Sequence, residues 1–164
     1  MKLSYCTFSA PWGGLRLCAH ERALVGAFVA DDCAKVASVG LSPVLAQAVS
    51  ELDEYFAGER KEFGVPLDFG GFAQADSSAR VPTEFTLDVW RALLGISYGE
   101  TRTYAEVAHM VGRPRAARAV GNAINKNPLM IFAPCHRVVG TSNPWGFACG
   151  PNVKRTLLKL EGSI

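Results

Sequence analysis

The sequence predicts an α+β protein: a small N-terminal antiparallel sheet with a helix, then a helical C-terminal domain carrying a winged-helix-like helix-turn-helix. Three observations lead there. The first thirty residues read as short apolar or alternating runs broken by turn residues. Residues 57–82 are rich in Gly, Asp, Ser and Pro, which reads as loop. From Pro82 onward the apolar residues recur at helical spacing. The division is therefore expected between 1–81, a scaffold domain, and 82–164, the domain that carries the chemistry.

The sheet is expected from Leu3–Phe8, Leu15–His20 and Ala23–Ala30, separated by PWGG and HER. Ser42 then caps a helix with Pro43 at its first position. Val44, Leu45, Ala48, Val49, Leu52, Tyr55 and Phe56 form its apolar face, and Gly58 ends it. One short strand is expected near Val65–Phe69. In the second half, Phe85, Val89, Trp90, Leu93 and Leu94 make an apolar helical stripe. Thr103-Tyr104-Ala105-Glu106 has the capping-box pattern ahead of a short helix ending near Met110–Gly112. Pro114 is expected in the first turn of a helix running from Arg115 to about Asn125, and the pair has the outline of a helix-turn-helix. A last helix is expected over Val153–Glu161, with Lys154, Arg155 and Lys159 as its basic residues.

Composition narrows the function. The chain has 164 residues, 49% hydrophobic and 20% charged, which excludes a disordered or fibrous protein. No run approaches ~18 apolar residues, so no membrane span is expected. The apolar part of the N-terminus is too short for a secretory signal. Five cysteines without a CxxC pair point away from a disulfide framework and toward a reducing cytoplasmic (or nuclear) setting. The net charge of +2 divides unevenly, −3 over residues 1–82 and +5 over 83–164. Within 101–137 the basic residues Arg102, Arg113, Arg115, Arg118, Lys126 and Arg137 face a single acid, Glu106. That excess suggests a polyanion partner. Ala116, Ala117, Ala119, Gly121 and Ala123 give the second helix of the pair small side chains, which permit close approach to a surface.

The chemistry concentrates in Asn127-Pro128-Leu129-Met130-Ile131-Phe132-Ala133-Pro134-Cys135-His136-Arg137-Val138-Val139-Gly140. A thiolate is the nucleophilic form of cysteine, and an adjacent imidazole with nearby cations, Arg137 and the helical arginines, favours it. Pro134-Cys135-His136-Arg137-Val138 with Asn127 upstream resembles the O6-alkylguanine–DNA alkyltransferase family. The resemblance runs from Phe85 through Tyr98–Tyr104 and Arg118–Ala123 to Leu157–Gly162. It implies one-shot transfer of an alkyl group from O6-alkylguanine, and from O4-alkylthymine, in double-stranded DNA to Cys135, which needs no metal and no organic cofactor. One copy of the chain suffices.

On that resemblance His136 is the base, acting through a water, and Glu161 orients it. Asn127 is the hinge asparagine and Tyr104 the donor to the departing guanine. Arg118 is the finger that fills the gap left by a flipped base. Arg113, Arg115, Ala116, Ala117 and Gly121 belong to the DNA-contacting surface, in the minor groove. Val138 recognises guanine through its carbonyl, and Met130, Phe147 and Ala148 border the alkyl group. Two positions depart from the family pattern: Met130 stands where proline is usual and Cys149 where glycine is usual. A cysteine would be strained at Cys149 if φ there were positive. Cys6, Cys18, His20 and Cys33 match no zinc spacing and read as small apolar residues. Two other readings fit part of the pattern. An alkyltransferase-like lesion-binding protein would lack the acceptor cysteine, and a Cys-His hydrolase would not need the basic second half.

Overall fold

The computed structural model describes residues 2–30, 41–75, 78–146 and 149–164. Cys33, Phe147 and Ala148 lie outside them. The chain divides into two compact units, Met1–Val81 and Pro82–Ile164.

In the first unit β1 (Ser4–Ala10), β2 (Gly13–Ala19) and β3 (Leu24–Ala30) form an antiparallel sheet in that order. Helix α1 (Pro43–Phe56) begins where Ser42 Oγ accepts from the Leu45 N–H at 3.3 Å. Its buried face is Val44, Leu45, Ala48, Leu52 and Tyr55, and the Phe56 ring stacks on Phe8 at 5.7 Å. Each large apolar side chain so buried contributes about 1.5–3 kcal/mol. Glu51 shares this face although it is charged. Its carboxylate accepts the backbone N–H groups of Gly64 and Val65 at 3.0 and 3.1 Å, which satisfies it. The strand expected at Val65–Phe69 is a single parallel bridge, Leu67 to Leu24. Asp68 stops it: Oδ1 accepts from Gly70 N and Gly71 N and opens the short helix α2 (Gly71–Ala75).

In the second unit α3 (Glu84–Leu93) is capped by Thr83. Val89, Trp90 and Leu93 are buried, whereas Leu94, expected in the same stripe, is 50% exposed because the helix has ended. The two-residue strand β4 (Arg102–Thr103) leads into α4 (Tyr104–Met110) through a complete capping box. Thr103 Oγ1 accepts from Glu106 N at 3.2 Å, and Glu106 Oε2 accepts from Thr103 N at 2.6 Å. Helix α5 (Ala117–Ile124) starts two residues later than expected. The Ala116 N–H bonds the Arg113 carbonyl at 2.9 Å, so Pro114-Arg115 turn a corner instead of opening the helix. The indole N–H of Trp90 donates to the Ala123 carbonyl at 2.8 Å and ties α3 to α5.

Beyond α5 a 3-10 turn over Cys135–Arg137 leads into β5 (Val138–Val139), which pairs in parallel with β4. Helix α6 (Pro151–Leu160) begins after Gly150, whose φ of 93° suits glycine, and has Pro151 in its first turn. Lys154 is not on its solvent face. It lies with Val153, Leu157 and Leu158 on the buried side.

Candidate active site

The loop between α5 and the 3-10 turn shapes the floor of the site. Asn127 crosses it: Nδ2 donates to the Ala133 carbonyl at 2.9 Å, and Oδ1 accepts from Leu129 N at 3.1 Å. The Ala133 N–H bonds the Leu129 carbonyl at 2.8 Å, and the Cys135 N–H bonds that of Ala133 at 2.8 Å. Ile131 takes φ 73°, the left-handed region that β-branched residues avoid. The floor is thus held by side-chain and backbone bonds against local strain.

Cys135 is 5% exposed. Burial pushes its thiol up to about 11, because the thiolate loses solvation. The Asn127 side-chain amide counters this through a hydrogen bond that favours the charged form, and the positive charge of Lys154 does so more weakly. Arg137 does not serve as a cation for the thiol. Its Nε and Nη2 donate to the two oxygens of Glu161 at 2.9 Å each, and Nη1 donates to the Ile96 carbonyl at 2.6 Å. Arg113, Arg115 and Arg118 are exposed to solvent. Of the cations, Lys154 is the one whose charge acts on the thiol, contrary to the sequence expectation.

His136 is fully buried, and its Nε2 lies 2.8 Å from Glu161 Oε1. A carboxylate clamped by Arg137 accepts, so Nε2 carries the proton and Nδ1 keeps its lone pair. Nδ1 is buried without a hydrogen-bond partner. Burial holds the imidazole below its ordinary pKa, so it is neutral and able to take a proton. Glu161 caps the end of α6. Tyr98 donates its hydroxyl to the neighbouring Leu160 carbonyl at 3.1 Å. At Gly99, with φ 81°, a Cβ would come 3.2 Å from the Glu161 carbonyl, so the turn beneath this helix end requires glycine.

Tyr104 opens α4 and is half-buried. Burial and, secondarily, the Cys135 charge raise its pKa, so its hydroxyl stays protonated as a donor. A Cβ at Gly121 would sit 3.6 Å from the Tyr104 ring, which makes Gly121 the ring's neighbour more than part of the outer surface. Ala116 and Ala117 are likewise half-buried, while Arg118, Ala119 and Asn122 are exposed on α5. Met130 is buried, and the Cys149 thiol lies 3.7 Å from its sulfur. The backbone angle on which strain at Cys149 would depend involves Ala148, which lies outside the described residues.

Lys154 and the Glu161 clamp of Arg137 are what sequence reasoning missed. Lys154 was legible in principle, since it stands three and four residues before Leu157 and Leu158 and so shares their helical face. Its side chain is buried, with Nζ donating to the Val138 carbonyl at 2.6 Å and to the Gly146 carbonyl at 3.1 Å. In the first unit, Cys6 pairs with Leu17 and Cys18 with Tyr5, which puts the two cysteines on opposite faces of the sheet. His20 is engaged with Asp68 at 3.1 Å. Among the described residues no three His, Cys, Asp or Glu side chains gather for a metal.

Comparison with known proteins gives a consistent result. Residues 84–163 match the DNA-binding domain of 6-O-methylguanine DNA methyltransferase, and residues 3–69 match its ribonuclease-like domain. A methylated-DNA–protein-cysteine methyltransferase of Mycobacterium leprae is 45% identical over 159 residues, covering 94% of this chain and 90% of its own. The constitutive methyltransferase of that name from Bacillus subtilis is 46% identical over 122 residues, 73% of this chain and 67% of its own. The crystal structure of Mycobacterium tuberculosis OGT in complex with DNA matches with a TM-score of 0.79 at 42% identity, over 97% of this chain and 92% of that one. With Cys135, His136 and Glu161 in one unit and both domains matched, the chain belongs to the 6-O-methylguanine DNA methyltransferase family.

Proposed function

We infer that the protein repairs DNA by moving an alkyl group from O6 of guanine to the sulfur of Cys135. The observation that carries this reading is the buried Cys135–His136–Glu161 array, with the His136–Glu161 bond at 2.8 Å and His136 Nδ1 left as the basic nitrogen. A water joins Nδ1 to the thiol and relays its proton to the imidazole. The sulfur then attacks the alkyl carbon, the C–S bond forms and the C–O6 bond breaks. Guanine leaves as its oxyanion and takes a proton from Tyr104. The imidazolium returns its proton to the tyrosinate through solvent. Cys135 ends as a thioether, so each molecule acts once.

The damaged base is turned out of the duplex, because its O6 substituent is otherwise inside the stack. Arg118, exposed on α5, fills the gap, and Arg113 and Arg115 contact phosphates. The Val138 carbonyl accepts from the guanine amino group, while Met130 borders the alkyl group. O4-alkylthymine is a second substrate. Among the described residues no helix is long and apolar enough to cross a membrane, and with free cysteines we place the protein in the cytoplasm, acting as one copy. The test is reaction with duplex DNA bearing isotope-labelled O6-methylguanine, followed by peptide mapping. Label on Cys135, lost in Cys135→Ala while DNA binding persists, supports the reading. Label on Cys149, or tight binding without transfer, refutes it.

A further inference from the structure

The first unit carries a cavity that alkyl transfer to Cys135 does not use. Successive residues of a strand face opposite sides of a sheet. The register pairs Tyr5 with Cys18, Thr7 with Arg16 and Arg16 with Phe28 across neighbouring strands, so these residues share one face. The other face holds Phe8, which stacks on Phe56 of α1. On the face away from α1, Tyr5, Arg16, Cys18 and Phe28 line a cavity of about 430 Å³ together with Phe72 of α2. Gly26 shapes it, since a Cβ there would overlap the Phe28 ring, and its absence lets that ring lie across the sheet. The ring packs on Phe72, with centroids 5.1 Å apart.

Two polar groups on this face are left without partners. Arg16 is half-buried, and its guanidinium makes no hydrogen bond or ion pair among the described residues. Thr7 Oγ1, across from it on the next strand, is buried with no hydrogen-bond partner. A buried hydroxyl in that state has lost its solvation and gained nothing in return. A guanidinium with its fork free grips a carboxylate or phosphate through two parallel N–H groups, and aromatic walls accept a flat ring. The volume falls within the range of small-molecule sites, roughly 300–1,000 Å³. Residues 1–82 carry a net charge of −3, which opposes a long polyanion and favours a molecule with one anionic group. We propose that this cavity binds a small ligand that joins a flat aromatic ring to one anionic group. The ring lies among Tyr5, Phe28 and Phe72, Arg16 holds the anion, and the Thr7 hydroxyl donates to it. Aromatic carboxylates and nucleoside monophosphates share that chemistry.

The test is an NMR titration of the full chain, read from its backbone amide signals. The probes are 2-naphthoate and guanosine 5′-monophosphate, each beside its uncharged counterpart, 2-naphthamide and guanosine. Saturable shifts at Tyr5, Arg16 and Phe28 are expected with at least one anion, and the tighter of the two tells the carboxylate source from the nucleotide source. Its uncharged counterpart should bind about tenfold more weakly, the worth of one charge-assisted contact. Arg16→Met keeps the aliphatic stem and should bring the anion level with that counterpart. Thr7→Val keeps the side chain's shape and should weaken the anion about fivefold. No saturable shift with either anion up to about 5 mM, a level beyond the weakest specific affinities near ~1 mM, overturns the proposal. Equal affinity for an anion and its counterpart in the parent also overturns it, because the face is then merely apolar. So does a thymidine oligonucleotide that shifts the same amides at lower concentration than the mononucleotide, which would mark a nucleic-acid surface. If Arg16→Met does not fold, the parent's preference for the anion and the Thr7→Val titration decide. None of these measurements involves Cys135, so they stand apart from the label-transfer result.

Discussion

Arg137 holds both oxygens of Glu161: its Nε lies 2.9 Å from Oε2 and its Nη2 lies 2.9 Å from Oε1. The two-pronged grip fixes the plane of the carboxylate, and the same carboxylate fixes the ring of His136. Arg137→Met removes the grip and leaves a buried acid short of two charge-assisted bonds. The expected loss is about 3–5 kcal/mol of unfolding free energy, measured by urea titration. A loss below about 1 kcal/mol would mean that Glu161 is held by His136 alone.

Stability should fall on acidification partly through His136. Its folded pKa is depressed by burial, whereas the unfolded chain takes up the proton near the ordinary value of about 6.5. Below that pH the unfolded state binds a proton that the folded state lacks. The folded state therefore loses up to about 1.4 kcal/mol per pH unit, until the buried ring also titrates. The pH dependence of His136→Gln should be shallower than the parent's between pH 6.5 and 5. Superimposable slopes would contradict a buried neutral histidine.

Arg118→Ala should slow repair of duplex DNA at least tenfold, a difference of about 1.4 kcal/mol, while reaction with free O6-methylguanine changes less than twofold. Only the duplex has a stack to be opened. Parallel losses on both substrates would remove the gap-filling role.

Gly121→Ala should be tolerated. The added methyl meets the Tyr104 ring at 3.6 Å, an ordinary contact, and alanine stabilises a helix by about 0.5–1 kcal/mol over glycine. Thermal unfolding should shift upward, and DNA affinity should stay within twofold. A large drop in affinity would show that DNA approaches the helix at this residue after all.

The sulfurs of Met130 and Cys149 lie 3.7 Å apart, and on the proposed reading both side chains border the alkyl group. O6-methylguanine should react well and O6-benzylguanine poorly, because a rigid ring needs the volume these side chains occupy. Met130→Pro combined with Cys149→Gly should raise the benzyl rate at least tenfold, about 1.4 kcal/mol at the barrier. A parent already as fast as the double variant ends the argument.

Where local chemistry decides structure, the sequence was readable. Ser42 with Pro43 and Thr103 with Glu106 start their helices as their side chains demand, since each cap satisfies nearby N–H groups. Where tertiary partners decide, it was not. β4 and β5 are two residues each, too short to show a period, and exist because they pair with one another. The short helix α2 follows from Asp68 accepting two N–H groups. In the site, Cys135, His136, Glu161 and Asn127 stand out in the sequence through the motif and converge in one unit. Arg137 and Lys154 show in the sequence only as positive charges, because composition does not reveal whether a cation ends on a carboxylate, a carbonyl or solvent.

Ile131 sets stability and activity against each other at a single torsion angle. Its φ of 73° costs about 1–3 kcal/mol for a β-branched residue, and the surrounding loop must supply that continuously. A glycine there would release the tension and leave the chain beneath Cys135 free to choose other shapes. Selection for a sturdier protein would favour such a change, and selection for a well-aimed sulfur would oppose it. In a molecule that reacts once, aim matters more than endurance, and an isoleucine held in a glycine's conformation is what that priority looks like in sequence.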